Sequence, residues 1–156
     1  MLKLTRIDDR LVHGQVAFTW TPALGIDNLL VANDRTAKDE FLKMTMGLAK
    51  PAGVKLHILT VEAAITYIND PRNKGQSLLV LVDSVKDAHA LALAIPEIQS
   101  INIGGIRAKV GTKQVSKAIA LTEDDILLIR ELLQKGIELE VRQVPTDKKQ
   151  PMDNLI

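Results

Sequence analysis

Residues 77–82 read SLLVLV, a run that is apolar at nearly every position. A strand buried on one face alternates apolar with polar residues, so an unbroken apolar run suits a central parallel strand covered on both faces. Parallel neighbours need long crossovers, and this chain has them. Short apolar runs at 2–7, 28–32, 54–59, 77–82, 100–103 and 137–141 alternate with longer amphipathic stretches at 15–24, 37–50, 61–68, 85–95 and 126–134. Gly25, Pro51 with Gly53, Pro96 and Gly136 mark stops, and TEDD at 122–125 marks a helix start: a capping threonine followed by acids. The pattern predicts one α/β domain over residues 1–156. It is three-layered, an open and mainly parallel sheet with helices on both faces and right-handed crossovers. Residues 115–121 read as one further strand, and 145–156 as a polar, loosely attached tail.

Composition narrows the function. The formal net charge is +1 and aromatic residues make up 3%, so neither a strong pull on nucleic acid nor a base-stacking surface is expected. There is no cysteine, which removes disulfides and thiolate metal sites. No apolar run reaches the roughly 18 residues of a membrane span, and the N-terminus has no signal-peptide core. These features read as a cytoplasmic protein.

In open parallel sheets, ligands meet the loops that leave the carboxyl ends of the strands. Five segments qualify: 8–14, 33–36, 60–62, 83–84 and 104–109. The first lies within RIDDRLVHGQV (6–16), which sets Arg6, Asp8, Asp9, Arg10 and His13 together ahead of a helix. Free N–H groups at a helix start favour an anion, and guanidinium groups suit phosphate oxygens. A carboxylate that accepts a proton from one imidazole nitrogen fixes the tautomer and makes the other nitrogen a better nucleophile. On the residues alone two readings stand. One is a histidine that carries phosphate without a metal. The other is a set of surface ion pairs around a capping or packed histidine.

The segment RIDDRLVHGQV, followed by Trp20, resembles the active-site segment of the IIB component of mannose-type sugar phosphotransferase systems, a family with mannose, sorbose, fructose and N-acetylgalactosamine branches. VANDRTAKDEFLKM (31–44), AKPAGVKL (49–56), INIGGI (101–106) and LTEDDI with LLQKGIELEVRQVP (121–145) resemble later segments of that family in order, so the likeness spans nearly the whole chain. The resemblance implies that His13 takes a phosphoryl group on Nδ1 from the phosphohistidine of a IIA protein or domain. His13 would then pass it to a sugar held by a IIC–IID membrane permease. It implies no cofactor and no metal at this step, no nucleic-acid partner, and a cytoplasmic protein that meets the inner membrane face through the permease.

Around that assignment, Arg10 is expected to clamp the phosphate and Asp8 to orient the loop or the imidazole. Arg6 either ties the loop through a carboxylate or touches phosphate. Gly14 is expected to let a backbone N–H approach the phosphate, and Gln15 to donate to it or face solvent. Asp34 either holds Arg10 or His13 or serves a turn. Gly104 and Gly105 read as a turn, and Trp20 as packing. Arg107, Lys109, Lys113 and Lys117 read as a solvated face or a docking surface for an acidic partner. His57 and His89 lack metal-ligand spacing and read as structural.

Three function classes follow: a phosphohistidine relay enzyme, a regulatory module that holds phosphate without sugar transfer, and a nucleotide-binding domain. The last is disfavoured, since neither a Walker A run nor a GxGxxG fingerprint is present.

Overall fold

The computed structural model describes residues 1–156. Its strands are β1 (Leu2–Asp8), β2 (Asn28–Ala32), β3 (Lys55–Leu59), β4 (Leu78–Val82), β5 (Ser100–Gly105), β6 (Lys113–Ser116), β7 (Ile119–Leu121), β8 (Glu138–Val141) and β9 (Gln150–Pro151). Seven of them form one sheet in the order β3-β2-β4-β1-β5-β8-β9, parallel except for the last pair. The helices are α1 (Thr21–Ala23), α2 (Asp34–Ala37), α3 (Glu40–Ala49), α4 (Val61–Asn69), α5 (Val85–Ala94) and α6 (Glu123–Gln134).

The apolar run that predicted a central strand does what its composition requires. Leu79 and Leu81 pack with Trp20, Leu29, Val31 and Met46 on one face. Leu78, Val80 and Val82 pack on the other with Ala64 and Ile68 of α4, Ala88 and Leu91 of α5, and Ile129 and Leu132 of α6. Each fully buried aliphatic side chain contributes about 1.5–3 kcal/mol. Helices thus cover both faces, and the three-layer α/β fold read from the sequence is the fold observed.

Four local readings change. The first helical segment is continuous over 14–23, but Val16–Trp20 is wound as a π-helix that closes on the Thr21 N–H to Val16 carbonyl bond. Thr21 Oγ1 donates to the same carbonyl at 2.9 Å, and Thr19 Oγ1 donates to the Gln15 carbonyl; hydroxyls that bond back to the helix favour such widening. The stretch read as one helix over 37–50 is two. Asp39 accepts from the N–H groups of Phe41 and Leu42, which caps α3 and separates it from α2. Residues 115–121 are not one strand, because β6 and β7 form an antiparallel hairpin. The tail at 145–156 is anchored rather than loose: β9 pairs with β8, and Met152 is fully buried in the larger core.

The strand order positions the site. From β1 the chain crosses towards β2 on one side of the sheet, and from β5 it goes on to β8 on the other. Neighbouring strands whose exits diverge leave a crevice at their carboxyl ends. β1 and β5 are such neighbours, paired through Arg6 with Asn102, Ile7 with Ile103 and Asp8 with Gly105.

Candidate active site

β1 ends at Asp8, and the chain doubles back at once. The Leu11 N–H donates to the Asp8 carbonyl at 3.0 Å, and Leu11 has φ 57°, the left-handed region. A bulky L-residue there costs about 1–2 kcal/mol. Its side chain is buried in the core beneath α3, and that burial holds the strained turn in place. The turn delivers His13 to the head of the helical segment, where its carbonyl accepts the first bond, from Ala17 N–H at 2.9 Å. The N–H groups of Gly14 and Gln15 meet no protein acceptor.

Asp8 is the hub. Its carboxylate is fully buried and accepts from Arg6 Nη2 at 3.1 Å. It also accepts from the backbone N–H, Nε and Nη2 of Arg10 at 3.1, 3.1 and 3.3 Å. His13 Nε2 stands 3.6 Å from Asp8 Oδ2. Arg6 is buried, whereas the Arg10 side chain is 43% exposed. One guanidinium is therefore structural ballast under the loop, and the other reaches solvent beside the imidazole. Asp9 turns outward and accepts from the N–H and Nε of Arg107 at 2.8 and 3.0 Å, tying the loop after β5 to the loop after β1.

Arg6 is held through both terminal nitrogens, while its Nε has no partner. Nη1 donates to Asn102 Oδ1 at 2.5 Å and to the Arg142 carbonyl at 3.0 Å, and Nη2 also reaches the Gln143 carbonyl at 3.3 Å. Its guanidinium lies 5.2 Å from the Trp20 ring, whose other neighbour is Arg142 at 5.0 Å. Such cation–π contacts suit an arginine removed from water. Trp20 Nε1 donates to the Gln143 carbonyl at 2.9 Å. Arg6 also lies flat on Gly104: a Cβ there would fall 2.0 Å from Nη2.

The His13 ring, 16% exposed, sits between two acceptors. Nδ1 lies 2.9 Å from the Leu11 carbonyl, and since a carbonyl only accepts, Nδ1 carries the proton in this pose and Nε2 the lone pair. Burial pushes the His13 pKa below its ordinary value; the Leu11 and Asp8 oxygens oppose this, while Arg10 and Arg6 add to it. The direction favours the neutral ring, the form that a nucleophilic role would require. A cleft of about 570 Å³ opens nearby between the β6–β7 hairpin and the β8–β9 connection, lined by Lys117, Arg142 and Gln143 among others, but neither His13 nor Arg10 lines it. Nε2 is itself buried and Nδ1 is taken by the Leu11 carbonyl, so an incoming group reaches either nitrogen only once the ring turns.

The family model described as "PTS system sorbose subfamily IIB component" matches residues 2–156. The chain belongs to this family. It is 37% identical over its whole length to the mannose-specific EIIAB component of Escherichia coli (strain K12), and spans about half, 48%, of that longer relative. It is 34% identical over 147 residues to the sorbose-specific EIIB component of Lacticaseibacillus casei, covering 94% of this chain and 90% of that one. The crystal structure of the IIBSor domain of the sorbose permease from Klebsiella pneumoniae superposes with a TM-score of 0.93 at 30% identity, over 99% of this chain and 94% of that one.

Within this IIB component the structure sorts the sequence-derived residues. His13, Asp8, Arg10 and Arg6 converge. Arg6 takes the tying role, through Asp8, and lies away from solvent. Gly14 is exposed, and a Cβ on it would meet only Phe18 Cδ2 at 3.9 Å, so neither space nor backbone demands glycine there. Gln15 leaves its Oε1 buried without a partner. Asp34 does not join the site. Its Oδ1 accepts from Val61 N–H at 2.9 Å and pins the start of α4, and it bonds neither Arg10 nor His13. Gly104 and Gly105 are strand residues, not a turn; Gly104 makes room for Arg6. His57 meets Asn28 Oδ1 at 2.8 Å, and His89 Nε2 lies 3.3 Å from Glu131, both away from the loop. Sequence reading missed Asn102, Arg142 and Gln143. The available signal was Asn102 itself, a lone amide inside an apolar strand.

Proposed function

We propose that His13 is the phosphoryl carrier of this IIB component, charged by the phosphohistidine of a IIA protein or domain and discharged to a sugar at a IIC–IID permease. The observation that carries this reading is the placement of the His13 ring at the head of the helical segment, flanked by Asp8 and the solvent-reaching Arg10, beside two unpaired backbone N–H groups. Attack through Nδ1, the nitrogen the family likeness names, requires the ring to turn off the Leu11 carbonyl and to hold its proton on Nε2. There Asp8 Oδ2, already 3.6 Å away, accepts it. The new Nδ1–P bond then forms as the donor's N–P bond breaks. Arg10 and the Gly14 and Gln15 N–H groups neutralise the charge on the equatorial oxygens, which is most of what phosphoryl transfer asks of a protein. Lys109, Lys113 and Lys117, all exposed and without ion-pair partners, supply positive charge beside the loop for an acidic donor surface.

The test is phosphorylation of the purified protein by the general phosphotransferase proteins, a IIA protein and phosphoenolpyruvate, followed by mass mapping. Acid-labile phosphate on His13 is expected, with none in His13→Ala. Labelling that persists in His13→Ala would refute the reading. Sugar phosphate formed by membranes that hold the permease separates a relay from a purely regulatory module.

A further inference from the structure

Arg6, Asn102 and Glu140 stand opposite one another on three adjacent strands. The register of β1 with β5 pairs Arg6 with Asn102, and that of β5 with β8 pairs Asn102 with Glu140. Side chains in such a row share one face of the sheet and touch. All three are buried, in a layer otherwise built of aliphatic residues and Trp20.

The bonds along the row have a direction. Arg6 only donates, so Asn102 must turn its Oδ1 towards it, as it does at 2.5 Å. That choice points the Asn102 amide N–H₂ the other way, where it needs an acceptor. Glu140 Oε1 is there at 3.1 Å, with the Arg142 carbonyl at 3.3 Å. Burial holds the Glu140 carboxyl above its ordinary range; Arg142 Nη2 stands 3.6 Å from the same Oε1, and Oε2 has no partner. A buried carboxylate left half-satisfied is unfavourable for the fold on its own account. What it achieves is to fix the Asn102 amide in the one orientation that anchors Arg6. Arg6 in turn is the buried hold on Asp8, and Asp8 is the group that meets both Arg10 and His13.

We propose that Asn102 and Glu140 are positioning residues for phosphoryl transfer at His13, acting through Arg6 and Asp8. Neither reaches the reacting atoms. Their part is to keep Arg6 committed to Asp8, so that the Asp8 carboxylate is shared in a fixed way between the two arginines and the imidazole. The role in transfer rests on the relay reading above; the effect on the His13 environment does not.

The experiment uses the intact protein and four variants: Asn102→Leu, Asn102→Ser, Glu140→Leu and Glu140→Gln. The first reading is the His13 titration, followed by imidazole NMR in the unphosphorylated protein. In Glu140→Leu the amide of Asn102 keeps only its longer 3.3 Å bond to the Arg142 carbonyl, Arg6 slackens and Asp8 turns its charge to His13. The His13 pKa then rises by about half a unit. Simple loss of a nearby negative charge would move it the other way, so the sign separates the two. Glu140→Gln removes the charge but keeps an acceptor oxygen, and its titration stays at the parental position. Asn102→Leu follows Glu140→Leu; if it does not fold, Asn102→Ser gives the same reading with less loss of packing. The second reading is the rate of His13 phosphorylation well below each melting temperature, expected to fall on the order of tenfold in Glu140→Leu and to return in Glu140→Gln. A His13 titration that stays put or falls in Glu140→Leu overturns the proposal, as does a Glu140→Gln variant that behaves like Glu140→Leu. A parental protein that takes no phosphate on His13 sinks the relay reading instead and leaves the titration result standing.

Discussion

Arg6 and Asp8, two residues apart on one strand, form an ion pair of 3.1 Å in which neither side chain has any exposed surface. Two charges taken fully out of water hold only while both are present and their remaining donors and acceptors are met. Here most are met, from Asn102, the Arg142 and Gln143 carbonyls, Arg10 and the backbone of the loop, and only Arg6 Nε goes without. The pair is the joint between sheet and loop.

Breaking that joint from the acidic side is therefore severe. Asp8→Asn leaves Arg6 buried without its counter-charge and is expected to cost about 3–5 kcal/mol. Urea unfolding measures the loss. Phosphorylation of His13 is expected to fall far more than the folded fraction, because Arg10 and the imidazole lose their common partner. A stability change under 1 kcal/mol would contradict the buried-pair account.

Two glycines of the site, Gly104 and Gly14, are expected to behave differently. Gly104→Ala drives a methyl to 2.0 Å from Arg6 Nη2 and 2.1 Å from Cζ, and both terminal nitrogens of that guanidinium are already bonded. Such overpacking costs about 1–3 kcal/mol and loosens Arg6 from Asp8. Gly14→Ala meets only Phe18 at 3.9 Å, and alanine is the better helix former, so stability stays within about 0.5 kcal/mol of the parent or rises. Thermal melts of the two variants side by side decide the matter.

Protonation of His13 works against the fold. Burial holds its pKa below the ordinary histidine value of 6.5, and His57 is lowered too, first by burial and then by Lys55. For a base whose pKa drops on folding, the unfolded chain binds protons first as pH falls. The stability these rings allow is therefore complete above pH 6.5 and is lost as pH falls from there towards their lowered values. His13 NMR titration is expected to give a midpoint below 6.5. The phosphorylation rate is expected to stay level as pH drops through that value. A rate that halves at pH 6.5 would show an ordinary, solvated ring.

The C-terminal segment makes its own prediction. Met152 is fully buried against the larger core, so Met152→Ala is expected to cost about 2–5 kcal/mol. Trp20 is the only tryptophan and is itself buried, so its fluorescence reports the unfolding directly. A loose tail would give no measurable change.

What could be read in advance was local. The run at 77–82 announced its central place because burial on both faces is written in the run itself. The loop at 6–16 stood out because two arginines and two aspartates stand next to a histidine and a helix start, and the structure brings Arg6, Asp8, Arg10 and His13 together. What escaped depends on which strands become neighbours. Nothing near Arg6 in sequence points to Asn102 or Glu140; the register across β1, β5 and β8 brings them together. Asp34 was misplaced for the related reason that β4 lies between β2 and β1, so a loop early in the chain is not early in space. The hairpin at 113–121 was hidden by a two-residue turn without glycine, and the anchored tail by its polarity, since only Met152, Leu155 and Ile156 carry the apolar contact.

The outermost strand, β9, is two residues long, and one of them is Pro151, which has no N–H to offer. At the opposite border, Lys55 opens β3 with its charge in solvent. Neither margin gives another molecule a clean ladder to extend. Under the relay proposed above, such borders confine the encounters with donor and acceptor to the end where the imidazole stands, and leave none able to seal itself along the flank.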